Sequence, residues 1–369
     1  MYGRVRALVI KELLAVLRDK QSRIALVMPP ILMLTIFAFA ATLEVKSVDM
    51  AVLNQDGGQA SIELIQRFAG APFFTNVFFL NGVREIAPTL ENERAMAVLV
   101  FDQTFSRDVA AGRPARVQML LDGRRSNTAQ IVQGYASRIL ERYTQDMAER
   151  YGLPGPPATL TARNWFNPNL DYLWYTVPNL IGLLSMSVGL LVTSLSVARE
   201  RELGTYDQLL VTPLSPREIL AGKTIPAMIM GLAEGFLITA VAIGCFRIPF
   251  AGSFLVLAAS LFLFMLSVVG FGLFISSVCN TQQQAILGTF TFMIPAALLS
   301  GFATPIETMP EFLQIVSLAN PLRHFLVAIR GILLKAMPFP MVLETIWPLV
   351  PIAATTLTLA GWFFRKGLK

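Results

Sequence analysis

The chain has 369 residues, of which 54% are hydrophobic and 15% charged, and a formal net charge of +6. Long apolar runs exclude a soluble globular protein, while one histidine and two cysteines are too few for the usual His/Cys metal site or for a disulfide framework. The basic balance comes without a patch of cations interleaved with stacking aromatics, so no nucleic-acid partner is expected.

Residues 1–23 form a predicted amphipathic helix. Arg4, Lys11, Glu12, Arg18 and Asp19 cluster on one face, with Val5, Val9, Leu13, Val16 and Leu17 opposite. Such a helix is expected to lie in the cytosolic membrane interface and to turn upward at Met28-Pro29-Pro30. Ala38-Phe39-Ala40 resembles a signal-peptide cleavage site, but the charged amphipathic stretch before it argues for retention. Six runs reach the roughly 20 residues needed to cross about 30 Å of hydrocarbon. They are 24–43, 172–198, 225–246, 253–278, 285–303 and 345–364.

Residues 44–171, between the first two spans, are polar and numerous enough for a domain with its own core. Strand-like runs at 47–53, 76–80, 95–101 and 117–121 alternate with helical stretches at 59–68, 83–91, 103–110 and 127–151. That alternation predicts a small α/β layer domain of open strand order. A Gly/Pro-rich break at 152–157 follows, and Trp165, Tyr172, Trp174 and Tyr175 mark a membrane interface.

The loop 199–224 is the most informative segment. Thr205 and Gln208 have capping-box spacing ahead of a short helix that places Tyr206, Leu209 and Leu210 on one face and stops at Thr212-Pro213. Ser215, Pro216 and Glu218 supply a second capping box, which launches the next helix. A capped two-turn helix at the membrane surface is a docking knob. Gly222-Lys223-Thr224 mimics the end of a phosphate-binding loop, but Arg217 stands where that motif needs glycine, so no nucleotide site is expected in this chain.

Glu234 falls near the middle of the third span, where an ionised carboxylate must face protein or water. It either lines a translocation path or is a hydrogen-bonded carboxyl at a helix contact. Gly231 and Gly235 flank it at GxxxG spacing, which favours close helix packing. Gln282-Gln283-Gln284 forms a short turn between the fourth and fifth spans, either solvated or touching a partner. Segment 308–335 is expected to form helices at, or dipping into, the outer leaflet, because its apolar part is short and interrupted by Arg330. His324 within it is expected to be an interfacial polar residue.

Lys and Arg in the short segments set orientation. Thirteen (Arg4, Arg6, Lys11, Arg18, Lys20, Arg23, Arg199, Arg201, Arg217, Lys223, Arg365, Lys366, Lys369) fall on one side and four (Arg247, Arg323, Arg330, Lys335) on the other. Both termini are therefore expected in the cytoplasm and the large domain outside. No Ser/His/Asp constellation of recognisable spacing supports an integral membrane enzyme. A membrane receptor with an outer ligand-binding α/β domain is the alternative, though the inner segments are too short for an output domain.

Six spans, a large domain after the first and the loop 197–213 (VARERELGTYDQLLVTP) together resemble the permease subunits of ABC-2 type exporters, and the bacterial multidrug-export subfamily in particular. Stretches 163–171 (RNWFNPNLD), 299–305 (LSGFATP) and 320–325 (NPLRHF) extend the likeness over the chain. The resemblance implies an α-helical polytopic membrane protein of the bacterial inner membrane, six transmembrane helices of ABC-2 type and a periplasmic α/β domain. It implies ABC ATPase partners that bind ATP and Mg, no cofactor on this chain, and a second permease, identical or a sister chain. Membrane lipid, a periplasmic adaptor and an outer-membrane channel are further implied partners. Arg199, Glu200, Glu202, Gly204, Thr205, Tyr206, Gln208, Leu209, Leu210 and Pro213 would couple to the ATPase. Glu234, Gly231 and Gly235 are the residues expected on the path of a hydrophobic or amphiphilic cargo.

Overall fold

The computed structural model describes residues 2–18, 20–39, 47–152, 165–168, 171–205 and 214–366. The chain divides into two compact units, 42–163 and a second made of 1–41 with 164–369.

In the first unit, the apolar run Val48–Asn54 becomes β1, followed by α3 (Gln59–Ala69), β2 (Phe74–Phe79), α4 (Ile86–Glu91), β3 (Ala97–Phe101), α5 (Phe105–Ala110), β4 (Val117–Leu121) and α6 (Ser126–Tyr151). The sheet order is β2-β1-β3-β4. β1 pairs parallel with β2 and β3, and β4 closes the edge antiparallel to β3. The central strands are apolar on both faces, as strands covered twice must be. Met50, Val52, Leu99 and Phe101 meet Leu64, Phe68, Val132 and Tyr143 in one cluster. Ala51, Leu53 and Val98 meet Ile86 and Leu90 of α4 in the other. Arg67 of α3 pairs with Glu63 and Asp146, and Arg150 of α6 pairs with Glu63, fastening α3 to α6.

The second unit opens with α1 (Tyr2–Arg18) and α2 (Lys20–Phe39). Then come α7 (Tyr172–Glu202), α8 (Pro216–Gly244), α9 (Phe254–Val278), α10 (Gln282–Leu298), α11 (Glu311–Ser317), α12 (Pro321–Lys335), α13 (Phe339–Ile346) and α14 (Leu349–Lys366). α7 is the hub and packs against α2, α8, α9, α10 and α12. Leu180, Leu184, Leu190, Phe264, Val268 and Phe325 are buried at its contacts. Phe264 and Phe325 stack with ring centroids 4.3 Å apart.

Four helices among the described residues are long and apolar enough to cross a membrane: Tyr172–Glu202, Arg217–Gly244, Phe254–Val278 and Phe339–Phe363. A fifth is counted if the bent pair α11 and α12, which meet at 79°, forms one span. The run 285–303 forms α10 with only 17 residues, about 25 Å long at 1.5 Å per residue. Charged residues assigned to the loop 199–224 are helical in the structure, because caps rather than hydropathy set the ends of α7 and α8.

In the 308–335 segment, α11 leaves Phe312, Ile315 and Val316 exposed. α12 buries Leu322, Phe325, Leu326, Ile329, Ile332 and Leu333 inside the bundle. His324 is 9% exposed and its Nε2 lies 2.9 Å from the Leu318 carbonyl. Within the protein it is a buried partner of the bend. Asn320 holds the same corner, accepting from the Leu322 amide and donating to the Ala296 carbonyl.

Candidate coupling site

The loop leaves α7 through a glycine-dependent stop. Gly204 has φ +69°, a left-handed conformation costly for residues with a Cβ. Its amide donates to the Arg201 carbonyl at 3.1 Å and the Thr205 amide to the Glu200 carbonyl at 2.9 Å. These two bonds make a Schellman cap. The Thr205 hydroxyl donates to the same Glu200 carbonyl, and Arg199 offers its own carbonyl to the Leu203 amide. Gly204 and Thr205 thus terminate α7. Tyr206, Gln208, Leu209, Leu210 and Pro213, with the first capping box, lie outside the described residues. At the return, the Glu218 amide donates to the Ser215 hydroxyl at 3.3 Å and the Ser215 amide to the Glu218 carboxylate at 2.8 Å. The capping box read from Ser215, Pro216 and Glu218 is formed.

Both ends of the loop meet at a buried ionic cluster. Lys223 of α8 has a side chain only 1% exposed; its Nζ lies 2.8 Å from Glu200 Oε2 and 3.6 Å from Glu12 Oε1. It donates also to the carbonyl and hydroxyl of Ser196. Lys11 of α1 completes the group at 3.1 Å from Glu200 Oε1. Two ammonium groups and two carboxylates cancel, which allows the charge to be buried at all. Lys223, which the sequence offers only in the charge count and as a failed phosphate loop, is the counter-ion that ties α7, α8 and α1 together. Gly222 beside it has no Cβ because Leu8 of α1 fills that space.

Lys11 and Glu12, on the charged face of α1, reach Glu200 and Lys223, with the Lys11 side chain still 57% exposed, while Ile10, Leu14 and Leu17 are exposed. No local periodicity reveals this, since Lys11 and Glu200 are 189 residues apart.

Arg201 and Glu202, the last residues of α7, reach another pair of helices. Arg201 donates to the carbonyls of Ser277 and Cys279 at 2.9 and 3.0 Å. Glu202 accepts from the Gln282 amide at 2.7 Å. Gln282–Gln284, expected as a turn, instead open α10 because Thr281 caps that helix, and α7 engages them through Glu202. Arg201 is a residue that sequence reasoning used only in the charge count.

Farther along α8, Glu234 is 7% exposed and has no hydrogen bond or ion pair among the described residues. Gly231 and Gly235 face α9, where an added Cβ would meet Met265 and, at 2.7 Å, Leu261. Their GxxxG spacing serves helix packing. Ser185 of α7 lies against Gly235 with its buried hydroxyl unpaired, and Thr176 Oγ1 and Asn179 Oδ1 of α7 are likewise buried without partners. Between α9 and α10 runs an open surface groove lined by Phe271, Phe274, Ile275, Gly288, Phe292 and the largely exposed Leu287 among others. Among the described residues no three His, Cys, Asp or Glu side chains gather as a metal site.

The sequence model of the ABC-2 family transporter proteins matches residues 20–362. The chain is 44% identical over 367 residues to the probable multidrug ABC transporter permease YbhR of Escherichia coli K12, covering 99% of each chain. It is 30% identical over 339 residues to the probable multidrug ABC transporter permease YbhS of the same organism, covering 90% of this chain and 89% of the relative. Identity to the E. coli inner membrane transport permease YhhJ is 28% over 375 residues, with 97% and 96% covered.

Proposed function

The chain belongs to the ABC-2 transporter family, as a multi-pass membrane permease, and on that premise we propose that it exports a hydrophobic or amphiphilic cargo by alternating access. Separate ABC ATPase subunits bind ATP and Mg and drive the switch through the loop between α7 and α8. The observation that carries this reading is the loop's foundation. It departs and returns at helix ends pinned by the 2.8 Å Glu200–Lys223 pair, so a push on the loop moves two helices together instead of dissipating in a flexible tether.

The knob of that loop is the short helix expected from its sequence, bearing Tyr206, Leu209 and Leu210, each large apolar side chain contributing on the order of 1.5–3 kcal/mol when buried in a partner groove. The names of two relatives support a drug-like cargo. In this reading two permeases, identical or sister chains, enclose the path in six-span halves. Termini and loop face the cytoplasm, and the α/β unit stands in the periplasm, where an adaptor and outer-membrane channel join it. Glu234, with the unpaired Ser185, Asn179 and Thr176 groups, supplies polar points along an otherwise apolar bundle. Gly231 and Gly235 set the helix spacing around it.

Docking is tested by co-purification. The Leu209→Asp/Leu210→Asp variant is expected to insert normally and to lose its ATPase, because buried carboxylates without partners oppose docking. Retention of the ATPase at the unsubstituted level would contradict the assignment.

A further inference from the structure

The end of α7 makes two kinds of contact, and only one is accounted for by the loop's foundation. Glu200 belongs to the ionic cluster with Lys223. Arg201 and Glu202, next in sequence, hold the two sides of the α9–α10 turn. The Ser277 carbonyl belongs to the last turn of α9 and the Cys279 carbonyl to its cap, where the helix leaves carbonyls unpaired and its dipole is negative; Arg201 donates to both. Gln282 is the first residue of α10, where amides are unpaired and the dipole is positive; the Glu202 carboxylate accepts its amide. Each charge therefore meets a helix pole of opposite sign. An acid in the last turn of α7 is unfavourable for α7 itself, and the α10 pole offsets that cost.

Three more bonds extend the joint. The Ser276 hydroxyl accepts from the amides of Val197 and Ala198 at 3.0 and 3.2 Å. Thr289 of α10 donates to the Ser194 hydroxyl at 2.8 Å. The helices so attached are the two whose surfaces form the open apolar groove.

We propose that Arg201 and Glu202 are positioning residues that carry displacement of the loop into the α9–α10 hairpin as a rigid joint, so that α9 and α10 move with each ATPase stroke. This rests on the loop being the point of drive.

The test uses the full chain with its ATPase in proteoliposomes, following ATP hydrolysis and export of a fluorescent amphiphilic cation together. In Arg201→Ala the ATPase is expected to remain bound and hydrolysing, while export per ATP falls about ten-fold, a typical coupling factor between sites. A second variant serves where the first does not fold. In a background of Cys245→Ser and Cys279→Ser, Glu202→Cys/Gln282→Cys is joined by a short bis-thiol reagent. A rigid joint keeps export within about two-fold, because its halves do not separate during the cycle. Unchanged export in the alanine variant, proportional loss of hydrolysis and export, or arrest on cross-linking overturns the proposal. Absence of ATP-driven export by the unsubstituted complex overturns the function reading itself and is thereby told apart.

Discussion

Single residues here are governed by the low tolerance of a bundle interior for unpaired charge. Removing one partner of a buried ion pair costs about 3–5 kcal/mol, whereas removing both with matched shape is far milder. Glu200→Gln leaves Lys223, with its 1% exposed side chain, the Ser196 oxygens and one carboxylate, Glu12 at 3.6 Å. Lys223→Met leaves Glu200 still paired with the more exposed Lys11. Thermal unfolding in detergent is therefore expected to rank Glu200→Gln below Lys223→Met, with the double variant recovering part of the loss. Equal and additive losses would show that the groups act independently. At the glycine positions the constraint is steric. Gly235→Leu forces α8 away from Leu261 and Ser185 and is expected to cost about 1–3 kcal/mol as overpacking, read by the same melts; a neutral result would contradict the close approach.

At the scale of elements, the contrast is between signals written within a few residues and those written across the chain. Ser215, Pro216 and Glu218 could be read as a cap because all three partners lie within one turn. The strand runs around 48–54 and 97–101 could be read because burial on both faces leaves continuous apolar sequence. The β2-β1-β3-β4 order, the 79° bend and the grip of Arg201 on Ser277 depend on partners many residues away, so no local pattern carries them. Gly204 was legible as part of a motif, but its left-handed conformation appears only once α7 is seen to run on to Glu202. In the α/β unit, hydrogen bonds from Arg150 and then Arg67 hold the Glu63 carboxyl below the usual range, against the opposing effect of burial. A lowered folded pKa adds stability that is present above the unfolded value and is lost as pH falls through the folded one. The stability gap between the natural chain and Glu63→Gln is therefore expected to close below about pH 4.5. A gap constant with pH would show that Glu63 acts through packing alone.

For the whole molecule, the sequence of the loop and the structure around it converge on one mechanical layout. α7 is bonded on one flank to α8 and α1 through Glu200, Lys223 and Lys11, and on the other to α9 and α10 through Arg201 and Glu202. A stroke delivered between residues 205 and 214 thus enters the bundle at its hub. The most direct test is ATP-driven transport by the reconstituted complex, with a fluorescent amphiphilic cation followed into inside-out proteoliposomes. Uptake is expected to require ATP and the ATPase, and to disappear in Leu209→Asp/Leu210→Asp. Uptake that persists at an unchanged rate in that variant, or without ATP, would contradict the account.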